Sequence, residues 1–208
     1  MSRTGLEQES GGEPVRETGR AGKHARREPD KPRPAWLSEL IDWAKTLSVA
    51  LVIVVVVNLF IFNLSTVNGF SMEPTLEERE WLFINKIGYA FGDPERGDVI
   101  ILKDPSEGPD RKEYLVKRVI GIEGDTIEIR TGQLYLNGEL QVEPYTDVEI
   151  ESPDFGPAVV EPGKVFVMGD NRRGGASKDS RSFGTVALDG VKGKAEFVIW
   201  PITKLKKL

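Results

Sequence analysis

Three patterns in this sequence predict a mainly β domain, preceded by one transmembrane helix and a disordered tail. An uncharged apolar run from Leu47 to Leu64 is long enough to cross a bilayer. From Ser65 onward, short apolar or alternating segments recur between Gly, Pro and Asp residues, as strands and turns do. Before the run, residues 1–34 are rich in Gly, Glu, Arg, Pro and Ser and show no apolar period. The predicted organisation is a tail over 1–34, a membrane anchor over 35–64 and a β-rich domain over 65–208.

Composition limits what such a chain can do. Its 208 residues suffice for a tail, one helix and one compact domain. A hydrophobic share of 39% beside 29% charged residues is a globular balance, unlike that of a multispan transporter. The net charge of −5 lacks the basic excess of a nucleic-acid binder, so no nucleic acid is expected as a partner. With Cys at zero, disulfides and thiolate metal sites are excluded. The single histidine, His24, lies in the tail, which argues against zinc or di-iron chemistry.

The elements follow in order. The tail buries too little apolar surface to offset its ordering entropy and is expected to be disordered. The eighteen residues from Leu47 to Leu64 make a helix of about 27 Å, roughly one hydrocarbon core. The β-branched run Val52–Val57 also suits a buried strand, but strands rarely exceed about ten residues. Trp36 and Trp43 suit an interfacial belt, and Lys45 can reach back to the headgroups. No small-residue cleavage site follows Leu64, so the helix is expected to stay as an anchor. Arg27, Lys31, Arg33 and Lys45 precede the span closely, and only Arg79 follows comparably near. Positive-inside bias therefore predicts a single-pass protein of the plasma (inner) membrane, tail in the cytoplasm and domain outside. Strands are expected within EWLFINKI, GDVIILKD, EYLVKRVIGI, DTIEIRTGQLYLNGELQ, KVFVMGD and KAEFVIWPI. Asn137-Gly138 predicts a type I′ hairpin turn, whose two central residues need φ > 0. Residues 144–162 read as an irregular excursion.

A serine beyond the span has no histidine on its own side of the membrane and no thiol to replace it. That leaves lysine as the candidate base. Ser71 lies in GFSMEPTL, between a glycine that permits close backbone approach and a proline that stiffens the exit. Lys117 lies in YLVKRVIG, where strand alternation puts Leu115 and Val119 on its face. Burial there would lower its pKa to about 7–8, within reach of a general base. The same lysine on an edge strand would extend to water instead, and a lone serine in a turn means little. Arg118 points to the opposite face and needs a partner. The third cluster, VFVMGDNRRGGASKDSRSFG over 165–184, is a loop dense in hydrogen-bonding groups. A calcium loop is disfavoured there, because Arg172, Arg173, Lys178 and Arg181 interrupt the acids.

Together these segments resemble the bacterial type I signal peptidases, membrane-anchored leader peptidases with a Ser-Lys dyad. SMEPTL is similar to that family's nucleophile box and RGDVIIL at 96–102 to the strand that follows. LVKRVIGIEGD at 115–125 resembles its lysine box, and GDNR with SKDSRSFG, at 169–172 and 177–184, its last box. The likeness covers about Trp36 to Pro201. It implies an antiparallel, coiled β-barrel-like catalytic domain that uses neither metal nor cofactor. Ser71 would attack the scissile carbonyl, Lys117 would be general base and then acid, and Ser177 would position the lysine amine. Asp170, Asp179, Arg118 and Arg181 would form a supporting ion-pair network. The substrates would be preproteins cleaved after small residues of Ala-X-Ala type, at the bilayer surface, by an enzyme expected to act as a monomer.

This chain departs from the family pattern twice. Family members with a serine two residues before the nucleophile use its hydroxyl in the oxyanion hole, whereas this chain has Gly69 there. The oxyanion donors are then expected from the Ser71 main-chain N–H and another in the Gly69-Phe70 turn, or from closure on substrate. Second, Arg173–Ala176 lengthens the last box by two residues ahead of Ser177. Two other readings compete. A Ser-Lys autoprotease of the repressor type lacks support from any DNA-binding helix. A non-catalytic bitopic protein binding exported partners would have no need of both Ser71 and Lys117.

Overall fold

The computed structural model describes residues 35–208, and the tail expected over 1–34 lies outside them. The chain groups into two compact units, one ending at Ala44 and the other running from Lys45 to Leu208.

Helix α1 spans Ala35–Phe60. It is long and apolar enough to cross a membrane, and side chains such as Leu51, Val54 and Phe60 stand exposed. From Leu47 to Phe60 it carries no charge, and a helix surface so largely apolar suits a lipid surround. Its end corrects the expected span, which ran on to Leu64. After a turn at Ile61 the chain becomes strand β1, Phe62–Thr66, paired antiparallel with β2, Trp81–Asn85. The Phe62 ring lies 5.2 Å from that of Phe83 across this pair, a contact that a continuing helix could not make. No basic residue stands in the last turn of α1. Lys86 supplies the missing charge, donating to the Asn58 and Leu59 carbonyls at 3.2 and 3.3 Å.

The domain is mainly β and antiparallel, as predicted, and its larger sheet curls as a half-barrel. After β2 come the short helix α2 (Gly88–Phe91), β3 (Val99–Lys103) and β4 (Tyr114–Gly121). A hairpin region follows: β5 (Thr126–Arg130), β6 (Gln133–Leu136) and β7 (Glu139–Leu140). Then come β8 (Phe155–Val159), β9 (Lys164–Met168), the turn-sized helix α3 (Ser180–Phe183) and β10 (Val186–Ala187). Strands β11 (Val191–Trp200) and β12 (Lys206–Lys207) close the chain. The large sheet runs β1-β2-β11-β3-β4-β9-β10 with β12 beside β11, and the small one runs β7-β6-β5-β8. Asn137 and Gly138 take φ of 53° and 84°, the turn their dipeptide predicts.

Both faces of the large sheet are covered, which explains the unbroken apolar run VIIL of β3. Ile100 and Leu102 pack with Leu115, Val119 and Val167, while Val99 and Ile101 join Met72, Leu76, Leu82 and Val198. The second cluster pins the segment around Ser71, since burying Met72 and Leu76 contributes about 1.5–3 kcal/mol each. Strand β4 pairs with β3 from Tyr114 to Arg118, but with β9 only from Arg118 onward. Among the described residues, no strand therefore pairs with the outer edge of Tyr114–Lys117, and the cleft opens there.

Candidate active site

Ser71 sits in a turn after β1. Asn171 clamps that turn: its main-chain N–H donates to the Ser71 carbonyl at 3.1 Å and its side-chain amide to the Phe70 carbonyl at 3.0 Å. Gly69 takes φ +103°, a conformation open to glycine and rarely to other residues. A serine at this position would have to alter the backbone path.

Lys117 is only 2% exposed, although it carries an amine. Its Nζ donates to Ser71 Oγ at 2.6 Å and to the Val116 carbonyl at 3.0 Å. Burial disfavours the charged form and brings its pKa down to about 8, against the upward pull of Asp179 and with help from Lys112. Two cavities, of about 190 and 410 Å³, share Gly69, Ser71, Lys112, Leu115 and Lys117 in their walls. The larger runs between residues 65–69 and the open edge at 113–117.

The loop after β9 brings its polar groups beneath this pair. Arg118 donates to both Asp170 oxygens at 2.9 and 2.6 Å and to the Gly97 carbonyl at 2.7 Å. Arg181 grips both Asp179 oxygens at 2.8 and 2.7 Å, and one of those oxygens accepts from the Gly169 N–H at 3.2 Å. The four residues thus form two separate bidentate pairs joined by the Gly169-Asp170 backbone. Burial pushes against ionisation of Asp179, but the Arg181 guanidinium, Ser177 and the Gly169 N–H hold it below the usual carboxylate range. Gly169 must be glycine: a Cβ there would lie 2.3 Å from the Ser71 carbonyl oxygen and 2.4 Å from Ser177 Oγ.

Among the described residues, no hydrogen bond joins Ser177 to the lysine amine. Its Oγ is buried and makes no well-aligned hydrogen bond, though it lies close enough to Asp179 to polarise it. The amine of Lys117 is bonded to Ser71 and Val116 instead. The lengthened loop ahead of Ser177 folds onto residues 147–151: Arg173 pairs with Asp147 at 2.8 Å and the Gly174 N–H meets Glu151 at 3.0 Å.

Sequence reasoning missed a second buried layer. Arg172, named there only as a cation that spoils a calcium loop, pairs with both Glu143 oxygens at 2.5 and 2.6 Å and donates to the Gly169 carbonyl at 2.8 Å. Tyr145 lies under Arg118, whose guanidinium carbon is 4.0 Å from the ring centre. Tyr145 also donates its hydroxyl to Glu143 at 2.8 Å. Both residues fall in the patternless stretch over 144–162 or at its border, where no periodicity marks them.

The curled β domain, the apolar helix and a turn serine bonded to a buried lysine define a candidate membrane-associated serine hydrolase. The chain belongs to the signal peptidase, peptidase S26, family, whose profile matches residues 40–200. It is 37% identical over 188 residues to signal peptidase I of Bacillus amyloliquefaciens, covering 86% of this chain and 97% of that one. It is 36% identical over 185 residues to signal peptidase IB of Staphylococcus aureus, covering 81% and 93%. A crystal structure of a signal peptidase I from Enterococcus faecalis V583 shares 33% identity, over 50% of this chain and 97% of that one, at a TM-score of 0.41.

Proposed function

We propose that this chain is a serine endopeptidase that removes N-terminal signal peptides from exported preproteins at the membrane surface. The observation that carries the reading is the 2.6 Å contact between Ser71 Oγ and a lysine amine that is almost fully buried. With the amine neutral, this hydrogen bond reverses: the Ser71 hydroxyl is the donor and Nζ the acceptor. Oγ then attacks the scissile carbonyl carbon, and its proton passes to Lys117. The tetrahedral intermediate collapses as Lys117 returns that proton to the departing amine, leaving an acyl ester on Ser71. A water, deprotonated by the same amine, then attacks the ester; Lys117 returns that proton to the departing Ser71 Oγ, and the signal peptide leaves with a new C-terminal carboxylate. The open edge of β4 suits a preprotein segment bound as an added strand between residues 67–69 and 114–117. Cleavage after small residues of Ala-X-Ala type is part of this proposal and rests on the family.

Purified full-length protein in detergent, given a preprotein, should yield a mature product whose mass places the cut after an Ala-X-Ala sequence. Below a pKa of about 8, Lys117 is protonated and cannot accept the serine proton. The specificity constant kcat/KM should therefore fall about tenfold per pH unit below that value and level off above it. A cut elsewhere, or a rate flat from about pH 6 to about pH 10, would oppose the reading.

The anchor is proposed to place the tail in the cytoplasm and the β domain outside, from the basic residues ahead of the span. Protease added to spheroplasts should digest the β domain and leave a tag within residues 1–34 intact. Digestion of the tag with the domain protected would reverse the orientation.

A further inference from the structure

A tetrahedral intermediate needs donors at its oxyanion, and this site lacks a hydroxyl at position 69. The Ser71 main-chain N–H makes no hydrogen bond with any described residue, so it is free to be one donor. A different polar group borders the space where a side chain at 69 would stand. A Cβ built on Gly69 would lie 3.5 Å from Lys112 Nζ, and no other non-neighbouring heavy atom of the described residues comes within 4 Å of it. Lys112 also lines both cavities that contain Ser71 and Lys117.

Residue 112 is held firmly at its backbone. The Lys112 N–H donates at 2.9 Å to Asp104, a carboxylate only 1% exposed that also accepts from the Ser106 N–H at 2.9 Å. Burial opposes ionisation of Asp104, but these bonds hold it below the usual carboxylate range. The Lys112 side chain itself makes no ion pair among the described residues and reaches freely into the cleft. We propose that the Lys112 ammonium is the second oxyanion donor of this enzyme, standing where a hydroxyl at residue 69 would otherwise act. It approaches from the face of the turn that Gly69 leaves open, and bound substrate would strip water from it. The same positive charge, beside the amine of Lys117, favours the neutral base. This role rests on the Ser71–Lys117 reading above.

The test compares Lys112→Met, Lys112→Arg, Ser71→Ala and wild type on one peptide substrate across pH, with inhibition by a matching peptide aldehyde. The aldehyde adduct with Ser71 carries an oxyanion, whereas the bound peptide does not. Lys112→Met should lower kcat on the high-pH plateau by about 30-fold or more, with KM changed by less than about threefold. It should weaken aldehyde binding by a similar factor, and Lys112→Arg should retain part of both. A kcat within about threefold of wild type overturns the proposal. So does a loss confined to KM, or one fully recovered at higher pH, which would leave Lys112 as a tuner of Lys117 alone. Ser71→Ala serves as the control: if it cleaves, the Ser-Lys reading falls first. If it is inactive while Lys112→Met stays active, only the role of Lys112 is refuted.

Discussion

Ser71→Ala and Lys117→Met should each lower kcat by about a thousandfold or more, with the double variant no worse than either single one. The non-additivity follows from the geometry. Ser71 Oγ and Lys117 Nζ share one hydrogen bond, and among the described residues no histidine or thiol could take over either role. Removing the base leaves a hydroxyl that does not ionise near neutral pH, and removing the hydroxyl leaves a base with nothing to activate. Methionine keeps the volume of the lysine stem, so the wall formed with Leu115 and Val119 persists and the fold is retained. Steady-state cleavage of one peptide, with circular dichroism as the check on folding, measures the effect. A Lys117→Met variant retaining more than about a tenth of wild-type kcat would remove lysine from the role of base.

The second large effect is on stability. Arg118 and Asp170 are a bidentate pair with side-chain exposures of 8% and 0%. Replacing either by alanine leaves the other charge buried and unpaired, at a cost of about 3–5 kcal/mol. That is a large part of the 5–15 kcal/mol typical of a folded domain. Replacing both together should recover much of the loss, because no bare charge then remains. Denaturant unfolding of the three variants in detergent separates the single from the double effect. A single variant within about 1 kcal/mol of wild type would show that water reaches the pair. Tyr145, stacked on Arg118, would then need another reason for its place.

Most of the strand content was legible because apolar alternation and turn residues are local signals. Strands β2, β3, β4, β5, β6, β9 and β11 all lie within or across the segments predicted from sequence. Strand β8 was hidden by its composition, since Gly156 and Pro157 interrupt it and only β5 pairs with it. Strand β1 was hidden by the apolar run that precedes it, in which helix and strand look alike until Phe62 meets Phe83. Strands β10 and β12, of two residues each, are too short to leave any pattern.

By itself the sequence determined which chemistry was open to this protein. Lacking cysteine and keeping its single histidine ahead of an apolar span, it left a serine and a strand lysine as the candidate reactive groups. The tertiary structure alone decided how these groups meet. Ser71 and Lys117 are 46 residues apart in the chain and 2.6 Å apart in space, a distance set by the packing of Met72 and Leu76 beneath one and of β3 beside the other. It also left Ser177 Oγ without a hydrogen bond among the described residues, joined Glu143 to Tyr145 and Tyr145 to Arg118, and turned Lys112 toward the face that Gly69 leaves open. Most of these depend on contacts between distant segments, and a local pattern of residues carries no record of them.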